Sequence, residues 1–385
     1  MPYALQDIRV VELGGYIVGS YCATLLADMG ADVIKVEALT GDGLRGQLGA
    51  FQGWNRGKRG MAVDLHTAEG KAILRKLVLR ADVLVQNLRQ GVAERWEADY
   101  PTVSKVNPRL VYLAMPGYGQ EGPYVQRPAF DPLLQAMSGA MAAQGGPGNP
   151  PVYLRSAISD YSGAMLGAWG VAMALYTRAK TGKGQFVHSA LLNAAIAIQA
   201  GEFLDYEGKP AEQRLGSVGV SGTSRIFQSQ DGWVYVNCDN QERWLKLCGV
   251  LHQPGLATQA RFSNDAERGK NAAVLSAILE PLFVTSPTAH WLAALEAAGL
   301  PCSEVNRMRD LFTHPQLREN GLIAEHESAD VGAVKQLGTV VNMSVTPGKL
   351  WRAAPALGQH NDEVLAEIGY SAAETEALRS RGVIK

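Results

Sequence analysis

The sequence predicts an α/β fold in two parts, a larger domain built on a parallel sheet and a smaller α+β domain. Up to residue 204, short runs of valine, isoleucine and leucine alternate with helical segments, which is typical of βαβ units. After residue 222 the pattern changes to a hairpin with an Asp231-Gly232 turn, followed by several helices. The first pattern predicts the larger domain and the second predicts the smaller one.

The composition is that of an ordinary globular protein and argues against several kinds of partner. The 385 residues carry a formal net charge of −1, which gives no drive toward nucleic acid or an anionic membrane. The longest apolar run, residues 163–176, is shorter than a membrane span needs, and no signal peptide is evident. Four scattered cysteines lack metal-ligand spacing, so we expect no disulfide framework, no metal and a cytoplasmic location.

The first βαβ unit is predicted from a strand at residues 8–12, a helix at 21–29 and a strand at 32–36. Gly14, Gly15 and Gly19 follow the first strand, and Glu37 ends the second. The glycines indicate either a dinucleotide loop with Glu37 as its ribose-binding acid, or a turn that lets helix and strand pack closely. The spacing G-G-x-x-x-G differs from the fingerprint G-x-G-x-x-G, so the first interpretation is weakly supported.

The remaining elements of the larger domain follow in order. Residues 38–60 indicate a surface loop whose basic cluster is either solvated or in contact with a phosphate; its charged members are Asp42, Arg45, Arg56, Lys58 and Arg59. Thr67 is expected to cap a helix at 68–80. Further strands are predicted at 62–65, 81–85, 110–115 and 186–189, and further helices at 133–137 and 191–204. The stretch 116–154 reads as a long loop, and such loops are usually functional.

The smaller domain follows a charged, glycine-rich stretch at residues 205–222, which is expected to be a linker. Strands at 225–229 and 233–237 form the hairpin, and helices are predicted at 241–250, 270–284, 287–298 and 310–319. Residues 320–358 are expected to hold strands and loops that return toward the larger domain. Short helices at 361–367 and 372–380 end the chain.

Asp160 stands at the entry to the apolar run 163–176 and has two interpretations. Ser159 or Asp160 is well placed to cap the first turn of a helix, because its oxygen can accept the unpaired N–H groups there. A carboxylate at this position can also act as a nucleophile that forms covalent acyl intermediates, helped by the helix N-terminus. The local sequence leaves both roles open.

Seven separated motifs, taken together, carry a family resemblance. They are residues 26–37 (LADMGADVIKVE), 55–59 (NRGKR), 81–88 (ADVLVQNL), 117–124 (GYGQEGPY), 181–185 (TGKGQ), 299–302 (GLPC) and 357–365 (LGQHNDEVL). In this order they resemble the class III CoA-transferases, also called the CaiB/BaiF family, which includes formyl-CoA transferase, carnitine–crotonobetaine CoA-transferases and alpha-methylacyl-CoA racemases. The resemblance covers about residues 5 to 380.

The resemblance implies an architecture that periodicity alone does not. The larger domain, residues 1–204 and 336–385, would be Rossmann-like, with its parallel sheet built from both chain ends. The smaller domain would span 223–322, with linkers at 205–222 and 323–335. Two subunits would be threaded through each other as an interlocked homodimer, an exception to the usual unknotted chain path.

The resemblance also implies a catalytic residue and a binding site. Asp160 falls where the transferases carry a nucleophilic aspartate, which would pass CoA from an acyl-CoA to a free carboxylic acid through anhydride and thioester intermediates. Coenzyme A, as the acyl-CoA substrate, would contact Tyr16, Ile17, Val18, Val63, His66, Asn87, Leu88 and Arg95, with Arg95 as the chief phosphate partner. Ala38 replaces an arginine of formyl-CoA transferase, and Lys58 or Arg45 could supply that contact. Glycine N–H groups at 216–222 are candidates for stabilising the oxyanion.

Two other activities remain as alternatives. The racemases need a histidine before an aspartate as a proton carrier, and here that pair is Phe130-Asp131, which disfavours racemisation. A nicotinamide-dependent oxidoreductase rests only on the glycines and Glu37. The identity of the two acids stays open, and Arg127, Arg155 and Arg225 are candidates for holding a second carboxylate.

Overall fold

A six-stranded parallel sheet forms the centre of the computed structural model, which describes residues 3–209 and 217–385. All neighbouring strands run parallel, in the order β3-β2-β1-β4-β5-β6. The strands are β1 Arg9–Glu12, β2 Asp32–Glu37, β3 Lys58–Ala62, β4 Val83–Gln86, β5 Val111–Ala114 and β6 Phe186–His188. Their valines, isoleucines and leucines are almost all fully buried, as expected for a parallel sheet covered on both faces.

Helices cover both faces of this sheet. The helices of the first half of the chain are α1 Val18–Asp28, α2 Leu48–Asn55, α3 Ala68–Arg80, α4 Val92–Arg95, α5 Tyr100–Val106, α6 Asp131–Met137, α7 Ala140–Gly145, α8 Ile158–Thr181 and α9 Leu191–Ala197. Apolar side chains of α1, α8 and α9 pack on one face and those of α3 and α5 on the other. This is the doubly wound arrangement that places ligand sites at the carboxyl ends of the strands.

The second half of the chain begins with an antiparallel sheet and a group of helices. The sheet consists of β7 Arg225–Gln228, β8 Trp233–Val236 and β9 Cys302–Glu304, and the helices are α10 Gln241–Val250, α11 Pro254–Ala257, α12 Asp265–Lys270, α13 Ala272–Phe283 and α14 Thr288–Ala297. Short 3-10 turns lie at Ala260–Phe262 and Asp310–Thr313. The hairpin predicted around Asp231-Gly232 and the α+β character of this region are confirmed.

The C-terminal segment adds helices and a hairpin but no strand to the parallel sheet. It contains α15 Pro315–Glu319, β10 Ile323–Ser328, β11 Gly332–Leu337, α16 Asn361–Glu367 and α17 Ala372–Ser380. The predicted sheet built from both chain ends is therefore wrong, since all six strands precede residue 189. Among the described residues, a single isolated β-bridge links the C-terminal chain to this region, between Ile384 and Val63, the residue after β3.

This C-terminal segment nevertheless closes the free edge of β3. The ring nitrogen Nδ1 of His360 accepts the backbone N–H of Gly60 at 3.0 Å, and Oδ1 of Asn361 accepts that of Ala62 at 3.0 Å. Asn361 also donates to the backbone oxygen of Lys385 at 2.7 Å. The edge strand thus satisfies its backbone groups through the last residues of the chain.

The described residues divide into two compact units. The first comprises Met1–Ser138, Leu154–Leu204 and Phe312–Lys385, and the second comprises Gly139–Tyr153 and Asp205–Leu311. The predicted linker at 323–335 is instead part of the β10–β11 hairpin. Of the other predicted linker, residues 210–216 lie outside the described part of the chain, as does Gly216 of the proposed oxyanion loop.

The predicted surface loop at 38–60 is the main correction to the fold. Residues 48–55 form α2, and β3 runs from Lys58 to Ala62, so the strand predicted at 62–65 lies earlier. Arg56, Lys58 and Arg59 are buried. Each is paired with a carboxylate: Arg56 with Asp28 at 2.7 Å, Lys58 with Glu12 at 2.7 Å and Arg59 with Asp32 at 2.6 Å. Their charges are satisfied inside the fold, which a search for apolar runs does not detect.

Candidate active site

Asp160 lies in the first turn of α8 and does not cap it. The helix begins at Ile158, and its N-cap residue, Ala157, makes no side-chain hydrogen bond. The backbone N–H of the buried Ser159 is instead bound by a carboxylate from another helix, Oδ1 of Asp131, at 2.7 Å. The capping interpretation of Asp160 is therefore wrong.

The carboxylate of Asp160 is half-buried and receives no hydrogen bond from the described residues 3–209 and 217–385. Burial, and then the negative charge of Asp131, raise the pKa of Asp160 to about 7. A carboxylate with this pKa is still ionised in part near neutral pH, and it is more basic than an ordinary aspartate. The arrangement suits a group that reacts through its oxygen better than one that serves as a structural anchor.

Asp131 itself is held by a buried amide. Gln135, one turn further along α6, is fully buried and donates from Nε2 to Oδ2 of Asp131. The second hydrogen of the same nitrogen is shared between the backbone oxygens of Leu154 at 3.1 Å and Ser156 at 3.2 Å, while Oε1 accepts the N–H of Leu154 at 3.2 Å. Gln135 therefore fixes the chain leading into α8, and with it the first turn that carries Asp160.

A cleft of about 350 Å³ opens at the carboxyl ends of β1 to β4. It includes the point between β1 and β4 where the strand order reverses, the usual ligand site in open α/β sheets. Its lining residues are Leu13, Gly14, Gly15, Tyr16, Val36, Glu37, Ala38, Leu39, Thr40, Gly41, Asp42, Gly43, Val63, Asp64, Leu65, His66, Leu88 and Trp96.

Half of the predicted CoA contacts line this cleft. These are Tyr16, Val63, His66 and Leu88. The other four predicted contacts are sequence neighbours of lining residues. Ile17 is the N-cap residue of α1, and Val18 is buried in the core. Asn87 binds the backbone of Gly15, and Arg95 is exposed at the end of α4.

The sequence analysis missed Trp96 and the loop after β2. The indole ring of Trp96 lies edge-on to His66, with ring centroids 6.0 Å apart, and both line the cleft. The indole N–H is buried and finds no acceptor among the described residues. The glycine-rich stretch around Gly41 and Gly43 is the sequence signal for this loop, which the sequence left open as either a solvated surface loop or a phosphate contact.

The spacing of the glycines after β1 is explained by Asn87. A Cβ atom placed on Gly14 or on Gly19 would lie 2.9 Å from Oδ1 of Asn87, and the two glycines also approach each other closely. The close-packing interpretation of the glycines is therefore confirmed. Glu37, the predicted ribose-binding acid of a dinucleotide loop, is instead paired with Arg45, which donates to it from Nε at 2.7 Å and from Nη2 at 2.5 Å.

A buried ionic network supports the same loops. Nζ of Lys35 contacts Oε1 of Glu12 at 2.8 Å, Oδ2 of Asp42 at 3.0 Å and the backbone oxygen of Gly14 at 3.1 Å. Burial lowers the pKa of Lys58 to about 8 although Glu12 lies 2.7 Å away. The two acids and two lysines balance in charge, so the network ties the β1 and β2 loops together without leaving an unpaired buried ion. Lys58 and Arg45 are thus occupied by internal partners.

The turn between β1 and α1 connects the cleft with the region of Asp160. Tyr16 holds a left-handed backbone conformation, with φ of 59°, and its ring lies 6.1 Å from that of Phe130, the residue before Asp131. A Cβ atom on Gly163 of α8 would lie 3.2 Å from Cγ2 of Val18. The glycine thus lets the start of α8 pack directly against the start of α1.

The α/β fold thus combines a cleft at the carboxyl ends of its parallel strands with an aspartate, Asp160, whose pKa is raised in the first turn of α8. The model of CoA-transferase family III matches residues 5–361. The chain is 30% identical to the succinyl-CoA–D-citramalate CoA-transferase of Chloroflexus aurantiacus, covering 100% of this chain and 98% of that protein. It is also 30% identical to the succinate–glutarate CoA-transferase of Agrobacterium fabrum, with 94% and 95% covered.

A solved structure agrees with these relatives. The crystal structure of a CaiB/BaiF family protein from Brucella suis matches with a TM-score of 0.87 and 30% identity, covering 96% of this chain and 100% of that one. The chain belongs to CoA-transferase family III, as its seven motifs predicted. Family members that transfer CoA use CoA thioesters as substrates, so coenzyme A is the ligand to test against the cleft.

Proposed function

We propose that this enzyme transfers CoA from an acyl-CoA to a free carboxylic acid, with Asp160 as the covalent nucleophile. The observation that carries the proposal is the Asp160 carboxylate: it is unpaired among the described residues, sits in the first turn of α8 and has a pKa raised to about 7. No cation in the described part of the chain is paired with it, and its oxygens do not cap the helix, so the carboxylate is available to attack.

The transfer proceeds in balanced steps. A carboxylate oxygen of Asp160 attacks the thioester carbonyl; a C–O bond forms, the C–S bond breaks, and CoA leaves as a thiolate with the electron pair. The thiolate then attacks the Asp160 carbonyl, forming an aspartyl-CoA thioester and releasing the first acid as a carboxylate. The incoming carboxylate repeats these two steps in reverse and leaves with CoA. The thioester bond is never lost to water, so its free energy is conserved.

The cleft at the carboxyl ends of β1 to β4 is the proposed binding site of CoA. Its size is in the range of small-molecule sites, and it lies where nucleotides bind in related sheet topologies. Tyr16, His66 and Trp96 offer aromatic surface there, and Arg95 has no carboxylate partner among the described residues. Arg95 is the residue we assign to a phosphate of CoA, because its planar fork suits phosphate oxygens.

The acids are proposed to be dicarboxylic. The relatives described above are named for succinyl-CoA with citramalate and for succinate with glutarate, and each of these acids carries a second carboxylate. Arg225 is unavailable for that carboxylate, since it is buried and paired with Glu280 at 2.9 Å. Arg127, stacked 3.8 Å over Tyr124, and Arg155, five residues before Asp160, are exposed and lack an acidic partner among the described residues. They are the better candidates.

We also propose that two copies of the chain form an interlocked homodimer, as the family resemblance implies. The outer face of α8 carries Met165, Trp169, Met173 and Tyr176, which lie along one side of the helix and are all exposed; Trp169 is 64% exposed. An apolar face of this kind on a soluble domain is typical of a protein interface. A second copy of the chain is the expected occupant.

Racemisation remains the second candidate, on the observation that Asp160 has a pKa suited to proton transfer. Racemisation would also need a second proton carrier at position 130, and the exposed ring of Phe130 cannot carry a proton. A single experiment separates the two: incubate the enzyme with succinyl-CoA and a panel of free acids, and follow CoA thioesters by mass spectrometry. New thioesters support transfer. If the same reaction is run in D2O, deuterium uptake at the acyl α-carbon without new thioesters would instead indicate the proton transfer of a racemase.

A further inference from the structure

Asp131 places a second buried negative charge next to the nucleophile. Only 5% of the residue is exposed, and both of its oxygens accept hydrogen bonds, from the N–H of Ser159 at 2.7 Å and from the amide of Gln135. Both oxygens of Asp131 thus serve as hydrogen-bond acceptors. Because Ser159 directly precedes Asp160, the charge lies at the base of the turn that carries the reacting group.

The buried charge of Asp131 repels a negative charge on the half-buried Asp160, and no described cation is paired with either carboxylate. Loading the enzyme removes that repulsion. In the overall loading step, the Asp160 carboxylate and an acyl-CoA give an aspartyl-CoA thioester and a free carboxylate; one C–S and one C–O bond break, and one of each forms, because an oxygen of Asp160 leaves with the acid. The negative charge leaves Asp160 with the departing acid, while Asp131 keeps its own.

We infer that Asp131 is a positioning residue that shifts Asp160 toward its covalently loaded, uncharged state while its hydrogen bond to Ser159 fixes the turn. This inference rests on the proposed covalent function. It goes further, since it assigns the equilibrium between free and loaded enzyme to a second carboxylate that does not touch the substrate. A purely structural Asp131 would fix the turn and leave that equilibrium unchanged.

The test compares Asp131→Asn with Gln135→Leu. Asparagine retains an oxygen for the N–H of Ser159 but removes the charge, whereas the Gln135 variant breaks the same hydrogen-bond cluster and keeps the charge. Two quantities are measured: the acid limb of kcat/KM against pH, and the equilibrium fraction of enzyme loaded with CoA, by intact mass after incubation with succinyl-CoA. If Asp131→Asn does not fold, Asp131→Ser replaces it.

For Asp131→Asn we expect the acid limb to move to lower pH and the loading constant to fall. The pH of the acid limb and the loading constant both depend on the free energy of the charged Asp160 relative to an uncharged form. A downward shift of the limb by one pH unit should therefore accompany a roughly tenfold fall in the loading constant. Gln135→Leu should lower activity without moving the limb downward. Equal limbs and equal loading in wild type and Asp131→Asn would overturn the inference. Absence of any loaded wild-type enzyme would refute the covalent function itself, which is a separate result.

Discussion

The side chain of Asn87 makes a two-way hydrogen bond with the backbone of Gly15. Oδ1 accepts the N–H of Gly15 at 3.0 Å, and Nδ2 donates to its carbonyl oxygen at 2.9 Å. Asn87 follows β4, and Gly15 follows β1, so the pair joins the two strands at the point where the sheet order reverses. Asn87, which the family resemblance predicts to contact CoA, therefore also holds the loop after β1 in place.

Asn87→Ala should loosen this loop. The backbone groups of Gly15 would lose both partners, at a cost of about 1–3 kcal/mol in the free energy of unfolding. Because Tyr16 and the cleft depend on the same loop, we also expect weaker CoA binding. Chemical denaturation and calorimetric titration with CoA measure the two effects. Wild-type stability and affinity in the variant would show that the hydrogen-bonded pair is dispensable.

Asp160→Asn should abolish transfer while leaving the fold and CoA affinity nearly unchanged. Asparagine has almost the same shape but cannot form the anhydride. In the wild type, hydroxylamine added with acyl-CoA and no acceptor should convert Asp160 to a hydroxamate, adding about 15 Da to its peptide, as the covalent route requires. Near wild-type turnover of the variant, after checking for deamidation, would refute the nucleophile and direct attention to Asp131.

Arg95→Ala should weaken CoA binding. A charge-assisted hydrogen bond to phosphate contributes roughly 1.5–3 kcal/mol, which corresponds to an increase in the dissociation constant of about tenfold to a hundredfold. Arg89→Ala is the matched control, because Arg89 is also exposed and lies on the same connection before α4. Equal affinities in both variants and the wild type would place the nucleotide away from α4.

The proposed dimer should resist exchange of subunits. If the two chains are interlocked, tagged and untagged protein mixed under native conditions will form mixed dimers only after unfolding and refolding together. Pull-down followed by mass spectrometry measures the mixed species. Rapid mixing would contradict the interlocked arrangement, and a monomer at micromolar concentration would contradict the dimer.

Trp169→Glu tests the face that the dimer is proposed to use. A charge placed among Met165, Met173 and Tyr176 should weaken association, because its desolvation would oppose burial of the apolar face. Sedimentation velocity of the variant should show an increased monomer fraction. Thr181→Glu, at the exposed end of the same helix and outside this face, is a suitable control because it adds the same single negative charge.

The sequence predicted the regular elements best where local chemistry determines them. Helix 68–80 was placed correctly because Thr67 caps it, accepting the N–H of Gly70 at 3.0 Å, and because its apolar face repeats with helical spacing. The alternation of apolar runs and helices predicted a parallel sheet, which β1 to β6 form, but it did not predict the order of the strands.

Interactions across the fold could not be predicted in this way. Residues 56–59 look like a solvated basic stretch, and only the tertiary partners Asp28, Glu12 and Asp32 make their burial tolerable. Likewise, Asp131 and Ser159 are 28 residues apart in sequence, and their hydrogen bond depends on how α6 meets α8. The family motifs predicted which residues form the site, but the surroundings of Asp160 depend on this distant pair.

The closure of β3 by His360, Asn361 and Ile384 has a consequence for how the protein is made. As the chain leaves the ribosome, β1 to β6 are available long before the residues that cover the outer edge of β3. Until translation ends, that edge exposes unpaired backbone groups to any neighbouring strand. Nascent chains stalled just before residue 360 should therefore be more prone to aggregate and to recruit chaperones than the released protein.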